Sequence, residues 1–585
     1  MLAAQPDTLQ AVTVVADRGV VVSRTDTVSI SPMQDASNLL LQIPALYVGD
    51  YGSAAGLKSA SLRGFGSAHT AIYLDGVRVG NVQSGQADLG MLDYNDLSRV
   101  VVDYAQNSLS FQTARPVFNG KAVAGTIKLS GGSFGTWQPY GKLAVKLGRN
   151  WSLSGHVGGI VTNGQFPLED GTLRANNDLK QLQAGADVFG TLEGGDFHAK
   201  VFYNSAGRGT PGSITWPSTD RQQDGNLGAQ FVLKKAFSPL YTLHLSAKGA
   251  IDRLIYQSED WGDTDYKQTE FQLNSAHKFH LQPWWEVSLA ADVAFDKLLS
   301  TIYQQQRWST VAALASAFRW ERFKADVALE YAGTFDKGIS PLHSLSPSAD
   351  LRLTLVDGLD LVAFGRRACR TPTFNELYYP GYGNTQLKPE DAWLTDLGVD
   401  FARSLGAVTL KANIDAYYNF LTNKIVSAPS EADPNTWLPY NVGKVQAMGT
   451  DFLVAAEYAF QDGKAGLSTR YGWQKALDKT PDSYSYNQPI PYVAAHTLVV
   501  SADAAWKGWT VDAVWHLRAG RKDATGDMPN WNTLDVTAGK TFCLGKAGSV
   551  ALRAVGRNLF NQRYQVVSNY PMPGRSFLVG LEYKF

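Results

Sequence analysis

The sequence predicts an all-β transmembrane protein: an antiparallel outer-membrane β-barrel of about 22 strands, with an N-terminal α+β domain plugging its lumen. Three observations carry this. Apolar and polar residues alternate with period two over most of the chain, no apolar run is long enough for a membrane helix, and the connections alternate between short and long.

Composition sets the frame. Of the 585 residues, 44% are hydrophobic and only 18% charged, and the 55 glycines fall among Asn, Asp and Ser in the interruptions between apolar segments. Alternating strands hide hydrophobicity from a helical hydropathy scan in this way. The 53 basic and 53 acidic residues balance, which argues against a nucleic-acid partner. Cys369 and Cys543 belong to no metal-binding spacing, and the sequence leaves their pairing open. Met1-Leu2-Ala3-Ala4-Gln5 reads as the stub of a removed or replaced secretion signal.

The C-terminal strand shows the alternation plainly. Phe577, Val579, Leu581, Tyr583 and Phe585 share one face, with Glu582 and Lys584 on the other. The same code recurs from Val408 to Phe420, with Asp415 and Asn419 on the polar face, and from Trp285 to Phe295. Aromatics collect at strand ends (Trp284 and Trp285, Trp506 and Trp509, Tyr583 and Phe585), as interfacial girdles require. Short turns at Glu193–Gly195, Val356–Leu359 and Lys507-Gly508 belong on the periplasmic side. Long connections at 163–180, 206–225, 366–390, 422–444 and 477–488 belong outside.

About 21 strands follow Ser133, and a periplasmic C-terminus asks for an even number. Gly125–Gly131 supplies the missing strand, turning outside at Ser133–Thr136; the same stretch could instead be the last strand of the plug. The divisions are then an N-terminal segment (1–20), the plug (21–121) and the barrel (122–585). In the plug, Asp35 caps a short helix through Leu40. Ser61–Phe65, Ala71–Arg78 with a turn at Asp75-Gly76, and Leu97–Val102 read as strands. A barrel this wide would leak if empty, so the domain belongs in the lumen.

These features together resemble the TonB-dependent outer-membrane transporters, and the resemblance spans nearly the whole chain. Leu62-Arg63-Gly64 with Leu74-Asp75-Gly76-Val77 is similar to the family's plug signature. Arg370-Thr371-Pro372, Asn375-Glu376-Leu377-Tyr378 and Leu387–Glu390 resemble its mid-barrel signature, and Asn558–Asn561, Tyr564 and Pro573–Arg575 its C-terminal one. Asp7, Thr8, Leu9, Gln10, Ala11, Val12, Thr13 and Val14 resemble the TonB box, a β-prone segment able to add as a strand to a partner. The chain departs from the family where Ser98 and Val101 replace acidic residues, where Asp103–Asn107 replaces an Arg-Gly step, and over Phe111–Lys121.

The resemblance implies energised uptake, with TonB and its inner-membrane complex, the imported ligand, outer-membrane lipid and a surface lipoprotein as partners, and no enzymatic activity. No Gly-x-Ser-x-Gly motif or nucleotide loop is present. Two apical segments resemble the substrate loops of corrinoid-importing members: Tyr51, Gly52 and Ser53 in one; Asn81, Gln83, Ser84, Gln86 and Asp88 in the other. Small residues and amides suit a bulky neutral ligand edged with amides, so cobalamin is the first expectation and a ferric siderophore the second. No resident cofactor is expected. Calcium on external loops (Glu169, Asp170 and Asn176–Asp178; Asp220 and Asp224) is the one metal the sequence suggests.

Overall fold

The computed structural model describes residues 24–585 except 32, 53 and 431–435. Twenty-two antiparallel strands close a single barrel, each pairing with its neighbours in chain order. No described helix is long and apolar enough to cross a membrane. The strand that makes the number even is Val123–Gly132, which pairs with Thr136–Lys146 on one side and with the C-terminal strand Ser576–Lys584 on the other. At this seam the backbones of Gly125 and Phe585 exchange both hydrogen bonds, at 3.1 and 3.2 Å. A Cβ at Gly125 would lie 2.2 Å from the Phe585 ring, so only glycine lets the terminal aromatic close here.

The wall obeys the alternation. Phe577, Val579 and Leu581 stand exposed toward lipid, whereas Leu578 and Glu582 are buried toward the lumen. On Val408–Pro429, Ile414 and Tyr418 face out, while Asp415, Tyr417 and Asn419 face in. The predicted girdle gathers on the periplasmic rim. Trp320 stacks on Trp284 at 6.0 Å, on Phe318 at 5.5 Å and on Phe323 at 5.7 Å.

One expected loop is largely strand. Val408–Pro429 and Trp437–Phe460 run 22 and 24 residues and stay paired from Lys424↔Gly443 to Pro429↔Trp437 through register shifts. A membrane crossing takes only about 9–11 residues, so this hairpin rises well above the bilayer. Its Asn, Pro and Ser content suggested a loop because the shifts interrupt the alternation. Cys369 and Cys543 are both free thiols, on strands that end at opposite rims.

Inside the lumen, a five-stranded sheet runs in the order Thr25–Ser29, Leu97–Asp103, Ser108–Thr113, Ala71–Leu74, Val77–Val79. A hairpin of Leu46–Asp50 and Lys58–Leu62 and the helix Ala36–Leu40 complete the plug. Asp35 caps that helix by accepting from the Asn38 amide. Asp75 and Gly76 both take positive φ, as a tight primed hairpin turn requires. The strand predicted at Ser61–Phe65 ends at Leu62, because Arg63 and Gly64 turn with positive φ. The unconventional Asp103–Asn107 step is a turn whose Asn107 also has positive φ. It returns the chain so that Phe111 is fully buried and pairs beside Leu74. Leu39, Ile43, Leu62, Phe65, Val100 and Leu109 form the plug core with Phe111.

Candidate functional site

The apical loop Gly80–Asp88 is delivered to the outer end of the lumen by the Ala71–Val79 hairpin. Its fold is local: the Asn81 side chain accepts from the amides of Gln83 and Ser84, at 2.8 and 3.1 Å, and its carbonyl accepts from Gly85 N at 2.7 Å. Asn81, Gln83, Ser84, Gln86 and Asp88 line one cavity of about 360 Å³ against the barrel strands around residues 183–268. Further amides face it from the wall, among them Gln183, Asn204 and Gln230.

The arginines that reach this cavity are already paired. Arg208 lies 2.9 Å from Asp88 and 3.1 Å from Asp224, and it donates to the Ala55 carbonyl at 3.2 Å. It therefore ties both apical loops to the wall. Asp88 is thus a brace, capping Leu89–Met91 through Gly90 N and holding Arg208. Arg253 pairs with Asp265 at 2.6 Å. Sequence reasoning passed over Arg208 because residues 206–225 read as a loop. In the structure the strand runs on to Gly209 with Arg208 facing inward.

The second apical segment lies apart from this cavity. Tyr51 packs edge-on against Tyr570 at 4.9 Å, and a Cβ at Gly52 would meet the Pro571 carbonyl at 2.7 Å. Burial and the neighbouring Tyr570 push the Tyr51 hydroxyl above the ordinary tyrosine range. Ser53 and the whole of Asp7–Val14 lie outside the described residues.

The mid-barrel signature proves to be a folded external loop fastened to the apex. Its short helix Phe374–Tyr378 starts in a capping box of Thr373 and Glu376. Phe374 N and Asn375 N donate to the carbonyls of Val82 and Gln83 at 3.0 and 3.1 Å. Arg370 holds Glu376 at 2.9 Å and Glu390 at 2.7 Å, and Glu390 in turn bonds the plug's His69. Gly85 must be glycine, since a Cβ there would lie 2.7 Å from the Thr373 methyl. A ligand pressing on Gln83 or Ser84 therefore presses on this loop as well.

Deeper, two plug arginines face four wall carboxylates. Arg63 pairs with Asp396 at 2.8 Å and Asp415 at 2.6 Å, with Asp451 at 3.4 Å, and its guanidinium lies over Tyr417 at 4.0 Å. Arg24 pairs with Asp400 at 2.7 Å and with Asp415. Burial alone would favour neutral Arg63, but Asp396 and Asp415 hold it protonated, above its ordinary value.

Four of the five external-loop carboxylates (Asp170, Asp178, Asp220 and Asp224) have protein partners. Arg221 takes Asp178 at 2.7 Å, Thr172 donates twice to Asp170, Tyr256 donates to Asp220 at 2.6 Å, and Arg208 takes Asp224.

Comparison with known proteins agrees with this architecture. Residues 131–559 match the family model "TonB dependent receptor-like, beta-barrel", and residues 7–116 match "TonB-dependent Receptor Plug Domain". A vitamin B12 transporter, BtuB, of Vibrio vulnificus (strain YJ016) is 22% identical over 607 residues, covering 94% of this chain and 90% of the relative. Among solved structures, the FrpB iron transporter from Neisseria meningitidis superposes with a TM-score of 0.79 at 14% identity, covering 96% of this chain and 99% of that one. The copper transporter OprC superposes with a TM-score of 0.77 at 15% identity, covering 97% and 99%.

Proposed function

The chain belongs to the TonB-dependent outer-membrane receptors, and we propose that the cargo it imports is a corrinoid, cobalamin first. It is a transporter of the bacterial outer membrane. The observation that carries the corrinoid reading is the apical cavity, whose lining is rich in amides and whose arginines Arg208 and Arg253 are already paired with carboxylates. An anionic ferric chelate gains most from cations free to meet it. A neutral ligand edged with carboxamides instead finds matching donors and acceptors in Gln83, Gln86 and Asn204. Similarity to a vitamin B12 transporter over 94% of the chain supports the same choice. A corrinoid exceeds 360 Å³, so one edge enters the cavity and the external loops cover the rest.

Import then runs in three stages. The ligand seats on Gln83, Ser84 and Gln86, and these residues act on the 371–389 loop through the Val82 and Gln83 carbonyls. Ligand binding must favour one plug state over the other for the signal to cross the lumen. The N-terminal segment, with Asp7–Val14 as the TonB box, then pairs with TonB by strand addition, and force from the inner membrane shifts the plug.

The test is a titration of purified protein with cyanocobalamin and a panel of ferric siderophores. Saturable one-site binding of cyanocobalamin, weakened about tenfold by Gln83→Ala with Gln86→Ala, is expected. Binding of a siderophore with none of cyanocobalamin would replace the corrinoid reading. Deleting residues 7–14 should leave binding intact and abolish uptake by cells.

A further inference from the structure

The floor of the apical cavity holds ionisable side chains that import of a neutral ligand does not use. The plug contributes Asp93 and Asp96, the wall contributes His156 and Lys200, and the fully buried Asp187 lies behind His156 and Lys200. Asp187 and Asp96 are 0% and 1% exposed, and His156 is 8% exposed. His156 Nδ1 lies 3.7 Å from Asp96 Oδ1 and 3.9 Å from Asp187 Oδ2, while its Nε2 lies 3.5 Å from Asp93 Oδ2. Neither His156 Nδ1 nor Asp187 Oδ2 has a hydrogen-bond partner. Buried polar atoms of this kind call for a partner, and these two face each other across a gap too long for a hydrogen bond.

Charge points the same way. Four carboxylates (Asp75, Asp93, Asp96, Asp187) meet two ammonium groups (Lys142, Lys200), a formal excess of −2 with the histidines left out of the count. One divalent cation would cancel it. Among the described residues, Asp96, His156 and Asp187 form the one group of three or more His, Cys or carboxylate ligand atoms lying within 4.8 Å of one another.

We infer that Asp96, His156 and Asp187 form a divalent transition-metal site of the zinc type, which clips the plug to the barrel wall. An imidazole nitrogen with two carboxylate oxygens is a zinc donor set, whereas calcium takes oxygens alone. Bonds of about 2.1 Å in a tetrahedron place ligands about 3.4 Å apart, so the gaps of 3.7 and 3.9 Å need to close by less than an ångström. Asp93 Oδ2, itself without a hydrogen-bond partner and 3.5 Å from Nε2, stands where an outer partner belongs and leaves Nδ1 for the metal. The Tyr140 ring stacks on His156 at 6.1 Å and restrains its orientation. Lys142 and Lys200 grip Asp96 at 2.6 and 2.7 Å, and a carboxylate oxygen keeps a second lone pair for a cation. The cavity, which Asp96 and His156 line, provides the route in. The ligands come from both bodies, Asp96 from the plug and the other two from the wall, so the metal would tether them.

The test uses tag-free full-length protein, stripped with a chelator and dialysed against zinc. One zinc per chain is expected to remain. His156→Ala and Asp187→Asn should each weaken retention at least tenfold, Asp93→Asn about tenfold, and the exposed control His343→Ala not at all. Heat-modifiable gel migration verifies that each variant is folded. Independently of any variant, cobalt(II) added to the stripped, unaltered chain should give the visible absorption of a four-coordinate site, which zinc then abolishes. Absence of both retained zinc and the cobalt band, or equal zinc retention by folded His156→Ala, overturns the proposal.

Discussion

The plug meets the barrel in two different ways on its two sides. Toward the strands between Leu359 and Asp478 the contact is apolar: Phe364, Leu394, Leu421, Val445 and Ala476 join the plug core itself, and the Arg63 and Arg24 pairs pin it. Toward the strands between Thr136 and Gln282 the contact is polar. Gln183 and Asn204 bond the Met91 carbonyl, Lys248 and Gln272 bond the Arg78 carbonyl, and Lys200 bonds Asp96. Buried apolar area is lost at full cost when two surfaces part. Hydrogen bonds beside a cavity can be exchanged for bonds to water at a net cost of about 1 kcal/mol each. The comparison teaches that, with no metal held at Asp96, His156 and Asp187, the plug has a fixed side and a more readily released side, and the apical cavity lies on the latter.

The largest effect is expected at the frame both sides share. Gly125→Leu drives a side chain into the Phe585 ring at the seam, and the folded fraction seen by heat-modifiable migration should collapse. Next comes the fixed side. Arg63→Met leaves Asp396 buried without a guanidinium and Asp415 with Arg24 alone, which should loosen the plug by about 3–5 kcal/mol and raise ion conductance in planar bilayers. Leu421→Ala, at a position 0% exposed, should cost about 2–5 kcal/mol on the same side, read as a lower urea midpoint for plug release. On the polar side, Gln183→Ala should cost only about 1 kcal/mol by the same measure. Equal costs for Leu421→Ala and Gln183→Ala would erase the distinction between the sides.

The two sides were unequally legible in the sequence. Wall faces could be read because period-two alternation is local, and the strand count followed from the parity of the connections. Asp415 was visible as an inward residue of its strand, but its partner Arg63 lies 352 positions away, and no local pattern links them. A carboxylate recurring on the inward face in mid-strand, as at Asp396, Asp400, Asp415 and Asp451, is the signal that could have exposed the pairing. The Gly80–Asp88 loop is legible through its resemblance to the substrate loops of corrinoid importers, yet Asp88 and Arg208 form a brace only because the strand ending at Gly209 carries Arg208 inward. His156 stood out only as one isolated histidine, because its neighbours Asp96 and Asp187 come from a plug strand's approach and a different wall strand.

Hydrogen exchange of the chelator-stripped full-length protein across a urea series below barrel unfolding tests the two-sided attachment most directly, because it reports each segment separately. The account predicts that amides at Gly90–Leu92 and Arg78–Asn81, beside the polar wall, lose protection first. Amides at Leu46–Val48 and Leu62–Phe65, beside the apolar wall, should hold to higher urea with the core strand Val100–Val102. Loss of protection at all these segments at one urea concentration would contradict it.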